Sequence, residues 1–148
     1  MPTPERGRPI EVLLVEDDEG DVLMTKEALD EGKVINHLTV ANDGVEALDI
    51  LFRRDGHADA ARPDLVLLDL NLPRKDGRQV LEEIKNDPDL RRIPVVVLTT
   101  SEAEEDILRS YDLHANAYVS KPVDFDRFVE VIRQIDDFFI TIVQLPPH

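Results

Sequence analysis

The sequence predicts an α/β domain, a parallel sheet with helices wound on both of its faces. Three observations predict it. Five short β-branched and Leu-rich runs, at 10–15, 35–40, 65–68, 93–98 and 117–119, alternate with longer amphipathic stretches at 19–31, 44–54, 77–86, 102–112 and 124–139. Three of the runs, Val12-Leu13-Leu14-Val15, Leu65-Val66-Leu67-Leu68 and Val95-Val96-Val97-Leu98, are wholly apolar. A strand with one wet face alternates instead, so these are strands covered on both sides. Alternation of β and α at this spacing implies right-handed βαβ crossovers, and hence a five-stranded, doubly wound parallel sheet.

Each element has its own local warrant. Residues 1–9 hold three prolines and three charged side chains and form a flexible lead-in. The first strand runs into Glu16-Asp17-Asp18-Glu19-Gly20-Asp21, and either Asp17 or Asp18 suits the N-cap of the helix that follows. After the second helix comes a link at 53–64, rich in Arg, Asp, Ala and Gly, which reads as a surface loop. The third strand ends on Asp69 and the fourth on Thr99-Thr100-Ser101, where Ser101 is placed to cap a helix starting at Glu102. In the last helix Phe125, Phe128, Val129, Ile132, Ile135 and Phe139 recur at helical spacing and face the sheet.

Composition bounds the function. The chain has 148 residues, with 17 Lys and Arg against 32 Asp and Glu, a formal charge of -15. That length suits one domain, divided here into a lead at 1–9, a core domain at 10–137 and an apolar extension at 138–148. The charge opposes binding to nucleic acid or to an anionic membrane surface. With no cysteine there is no disulfide, thiolate nucleophile or Cys-based metal site. No run suits a signal peptide or a membrane span, so the expectation is a soluble, cytoplasmic protein.

In a doubly wound sheet the ligand site lies beyond the C-terminal ends of the strands. The residues at those ends are the acids from Glu16 onward, Asp69, Thr99 and Ser120-Lys121-Pro122. Two carboxylates ~4 Å apart repel by roughly 1–4 kcal/mol, so such a cluster favours a cation among them. An all-oxygen site suits a hard ion such as Mg²⁺. Taken singly, each feature also has a plain structural reading, as a cap or a surface side chain. Their coincidence at corresponding strand ends points to a site.

Together, Val15-Glu16-Asp17-Asp18, Leu68-Asp69-Leu70-Asn71-Leu72-Pro73 with Asp76-Gly77, Thr99-Thr100-Ser101 and Tyr118-Val119-Ser120-Lys121-Pro122 resemble the receiver domain of bacterial two-component response regulators. The resemblance covers about 10–137 and implies a flavodoxin-like (βα)5 fold with strand order 2-1-3-4-5. It implies that Asp69 is the phosphoacceptor for a sensor histidine kinase, and that Glu16, Asp17, Asp69 and the Asn71 carbonyl hold Mg²⁺. Thr99 and Lys121 would meet the phosphoryl oxygens. Lys121 and Pro122 would share a cis peptide, which an X–Pro bond permits at a cost of about 0.5–1 kcal/mol. Thr99 and Tyr118 would form the switch, and Gly77 would enter the third helix where a β-carbon has no room. The family's members are phosphoacceptors rather than enzymes acting on separate substrates, catalysing their own phosphotransfer and autodephosphorylation.

The uncharged stretch 138–145 is anomalous in a chain that is 33% charged and marks an interface. Val131, Phe138 and Leu145 line up at seven-residue intervals, and we read them as a homodimer contact beside the face of the fourth helix, fifth strand and fifth helix. Tail and long loop together resemble stand-alone receivers that partner phytochrome-type and related hybrid kinases, with no DNA-binding output domain. An aspartyl phosphatase is the chief rival, but such enzymes carry a second Asp where this chain has Asn71. A nucleotide-binding module lacks its glycine-rich loop here. A phosphorylation-independent binding protein on the same fold does not account for Asp17, Asp69, Thr99 and Lys121 together.

Overall fold

The computed structural model describes residues 10–31, 36–70, 77–99 and 117–120. In chain order these form β1 (Ile10–Val15), α1 (Glu19–Glu31), β2 (Asn36–Ala41), α2 (Gly44–Leu51), β3 (Leu65–Asp69), α3 (Gly77–Asn86), a 3-10 turn (Leu90–Arg92), β4 (Val95–Thr99) and β5 (Ala117–Ser120). The strands pair in parallel in the order β2-β1-β3-β4-β5. This is the doubly wound order expected from the resemblance. The expected helices at 102–112 and 124–139, and the tail, lie outside the described residues.

Burial explains why the apolar runs do not alternate. Every side chain from Val12 to Val15, from Leu65 to Leu68 and from Val95 to Leu98 is at most 1% exposed. Leu13, Val15, Val66, Leu68, Val95 and Val97 share one cluster with Leu48 and Leu51 of α2 and Val80, Leu81 and Ile84 of α3. Strand alternation sends Val12, Leu14, Leu65, Leu67, Val96 and Leu98 to the opposite face, where they are equally buried. Leu29 of α1 is buried as well.

The helix starts are set by carboxylates. Asp18, not Asp17, caps α1: its Oδ1 accepts the Asp21 N–H at 3.0 Å. Asp43 caps α2 in the same way, accepting the Glu46 N–H at 2.8 Å, while the Glu46 carboxylate reaches back to the Asn42 N–H. Asp64 fixes where β3 begins. Its amide donates to the Glu11 carbonyl at 2.7 Å, and its Oδ2 accepts the Glu11 N–H at 2.8 Å.

Two expected boundaries need correction. The helix at 44–54 stops at Leu51, because Arg53 and Asp55 adopt positive φ (55° and 52°) and turn the chain out of the helix. The strand at 93–98 begins only at Val95. Residues 90–92 wind into a 3-10 turn first, and the Ile93 amide bonds back to the Leu90 carbonyl. The link at 53–64 is a loop, as expected, strapped by Arg53 Nε to the Ala60 carbonyl and by Arg54 Nε to Asp49.

Candidate functional site at the sheet's C-terminal edge

The strand register brings the expected site residues to one edge. Val15, the last residue of β1, is level with Leu68 of β3, and Asp69 follows directly, level with Leu98 of β4. Thr99 ends β4, level with Ser120 of β5. The Glu16 amide still bonds to the Ala41 carbonyl at 2.9 Å, so Glu16 leaves the sheet in a fixed direction. Asn71, Lys121, Pro122, Val131, Phe138 and Leu145 lie outside the described residues, and for Thr99 and Tyr118 only the backbone is described.

Glu16, Asp17 and Asp69 each offer a carboxylate oxygen, and the three oxygens lie within 4.8 Å of one another. Among the described residues this is the one group of acids, histidines or cysteines so arranged. Glu16 is 1% exposed and Asp69 3%, while Asp17 faces solvent. Two of the three carboxylates are therefore held largely away from water, where their mutual repulsion is least screened. Oε2 of Glu16 accepts the Asp18 N–H, so the residue that caps α1 also ties down the first acid of the cluster. The donor set is all oxygen, compact, and open to solvent on the Asp17 side. That fits a hard divalent cation which keeps several of its waters.

Asp69 owes its position partly to a glycine eight residues away. Gly77 begins α3, and its amide bonds to the Leu70 carbonyl at 3.0 Å. A β-carbon built there would stand 2.5 Å from the Asp69 carbonyl oxygen and 2.8 Å from the Leu70 Cα. Both neighbours are backbone and neither can yield, so only glycine lets α3 seat against the end of β3. The room that the resemblance requires at this position is thus a contact with the acid's own peptide group.

Fold and site together define a class. Residues 12–133 match the family described as the response regulator receiver domain. The chain belongs to that family. Among its relatives, the response regulator Rcp1 of Synechocystis sp. is 43% identical over 96% of this chain and 97% of its own length. The bacteriophytochrome response regulator AtBRR superposes with a TM-score of 0.81 at 43% identity, covering 86% of this chain and 92% of that one. The phosphorylated cyanobacterial phytochrome response regulator RcpA gives a TM-score of 0.75 at 45% identity, over 95% of this chain and all of the other. Rcp1 has also been solved in a Mn²⁺-bound form, at a TM-score of 0.73.

Proposed function

We propose that this chain is a response regulator whose Asp69 accepts a phosphoryl group from the phosphohistidine of a sensor histidine kinase in a divalent-cation-dependent reaction. The observation that carries this reading is the buried Asp69 carboxylate within 4.8 Å of two further carboxylates, at the C-terminal edge of a receiver sheet. A carboxylate oxygen of Asp69 attacks the phosphorus. The P–N bond to the donor imidazole breaks, and the imidazole leaves with the electron pair and takes up a proton. Glu16, Asp17 and Asp69, with the Asn71 carbonyl, would hold Mg²⁺, which when bound offsets the charge gathered on the phosphoryl oxygens. Thr99 donates its hydroxyl to one phosphoryl oxygen, and the Lys121 ammonium pairs with another.

Thr99 drawn toward the phosphoryl group, with Tyr118 turning inward on β5, converts the modification into a changed surface. Output is by protein contact in the cytoplasm, including a homodimer through Val131, Phe138 and Leu145. The chain's similarity to bacteriophytochrome and cyanobacterial phytochrome response regulators supports a phytochrome-type kinase as donor. Leu23 and Met24 of α1 are 57% and 43% exposed on the helix that follows the acidic pair, and they offer the kinase an apolar footing.

Incubation with a small phosphodonor and Mg²⁺, followed by intact mass measurement, tests the core of the reading. The expected product is one acid-labile phosphoryl adduct, absent without divalent cation and absent in Asp69→Asn. No adduct at saturating donor overturns it. Sedimentation of the chain against one ending at Asp137 tests the dimer, and equal monomer masses would remove the tail from it.

A further inference from the structure

An Asp-Gly pair is a chemically weak point of a chain, because glycine leaves the next amide nitrogen free to approach the aspartyl side chain. This chain has three, Asp43-Gly44, Asp55-Gly56 and Asp76-Gly77, and no Asn-Gly. The fold treats them differently.

Two are restrained. Asp43 caps α2: its Oδ1 accepts the Glu46 N–H at 2.8 Å, its carbonyl accepts the Ala47 N–H at 3.1 Å, and Gly44 is buried. To react, its carboxyl must leave the cap and its backbone must turn out of the helix start. At Asp76-Gly77 the nitrogen is held instead, since the buried Gly77 donates its amide to the Leu70 carbonyl at 3.0 Å.

Asp55-Gly56 meets neither restraint. Both residues are exposed, with φ of 52° and 92°. The His57 N–H donates to the Arg54 carbonyl at 3.2 Å, so 54–57 form a type I′ turn with this pair at its tip. The Asp55 carboxylate has no hydrogen bond or ion pair among the described residues. Gly56 has nothing within 4 Å of where a β-carbon would stand.

We propose that Asp55-Gly56 is a site of isoaspartate formation, directed there by the fold. The Gly56 nitrogen attacks Cγ of the protonated Asp55 carboxyl. The amide proton and the carboxyl hydroxyl leave as water, which closes a succinimide. A second water opens the ring. Cleavage of the new N–Cγ bond restores aspartate, whereas cleavage of the bond from nitrogen to the original backbone carbonyl carbon leaves the chain running through Cβ and Cγ. Composition is unchanged, and the former backbone carbonyl becomes a free α-carboxylate. The backbone gains one atom between Arg54 and His57, and the positive φ of Asp55, unfavourable for a residue with a β-carbon, is no longer required. Bonds from Arg53 to Ala60 and from Arg54 to Asp49 flank the tip and confine the change to it. The new α-carboxylate is a methyl acceptor for an isoaspartate-directed methyltransferase, with S-adenosylmethionine as donor.

The test ages the folded chain in warm neutral buffer. Isoaspartate is then located by fragmentation of the peptides and counted by methyl transfer from labelled S-adenosylmethionine. Asp55 is expected to hold at least ~10-fold more isoaspartate than Asp43 or Asp76, a barrier difference of about 1.4 kcal/mol. Ageing in denaturant should erase the preference, and Asp55→Glu, which would have to close a larger ring, should remove most methyl uptake by the folded chain. Equal amounts at the three pairs in the folded chain, a preference unchanged in denaturant, or undiminished uptake in Asp55→Glu overturns the proposal. None of these readouts involves Asp69, so the outcome is independent of the phosphoacceptor reading.

Discussion

The two ends of the sheet handle carboxylates in opposite ways. At the N-terminal end and along the α2 side, four acids each meet a donor of their own. Asp64 takes the Glu11 amide, Glu11 takes His37, Asp43 takes the Glu46 amide and Asp49 takes Arg54. At the C-terminal end three acids are set against one another within 4.8 Å, two of them almost wholly buried. Acids of the first kind hold the chain in register. Acids of the second kind stand close enough to repel one another, a repulsion that a bound cation would relieve, and this sets a site apart from scaffolding.

The comparison is most directly tested with the cation itself. Mg²⁺ at 100 times its dissociation constant is expected to raise unfolding free energy by about 2.7 kcal/mol, read by denaturant titration, with no such gain in Asp69→Asn. Gly77→Ala comes next. Its methyl meets the Asp69 and Leu70 backbone, so a loss of about 1–3 kcal/mol is expected, together with weaker Mg²⁺ binding.

A matched pair of substitutions then separates the two ends by sign. Without divalent cation, Asp69→Asn relieves repulsion and is expected to stabilise by ~1 kcal/mol. Asp64→Ala removes the acceptor for the Glu11 amide and is expected to cost ~1 kcal/mol. Equal signs would erase the distinction drawn here. Asp43→Ala, which uncaps α2, is expected to cost ~1 kcal/mol without changing Mg²⁺ affinity. Arg54→Ala is the smallest, about 0.5 kcal/mol, because its ion pair is half exposed.

Much of this was legible in the residues, because burial on both faces writes itself as unbroken apolar runs. The bounds of β1, α1 and α3 coincide with the sequence reading, and Glu16, Asp17 and Asp69 converge as expected. What the sequence hid was conformation that any side chain can adopt. Arg53 is a good helix former, so nothing in its identity announces the positive φ that ends α2. Asp17 and Asp18 are chemically alike, and only the backbone direction after Glu16 makes one a cap and the other part of the cluster. A groove of about 390 Å³ beside β1 and β2 was invisible for a related reason. It exists because the loop after α2 folds back over β1 and β2, and its lining residues are scattered from Glu11 to Pro63.

The clamp between Asp64 and Glu11 also bears on how the chain reaches its fold. It joins residues 53 positions apart, and the β1–β3 pairing it guards is made across an intervening strand and two helices. Contacts of such sequence separation slow the search for the native state, since loop-closure entropy is lost before the pairing repays it. Yet that loss grows only logarithmically, by about 0.6 kcal/mol for each doubling of the loop. With register assigned to Asp64, the loop tip around Asp55 and Gly56 can change length while the refolding rate and the sheet stay nearly constant. Family members can therefore diverge at this loop without disturbing the acids at the other end of the sheet.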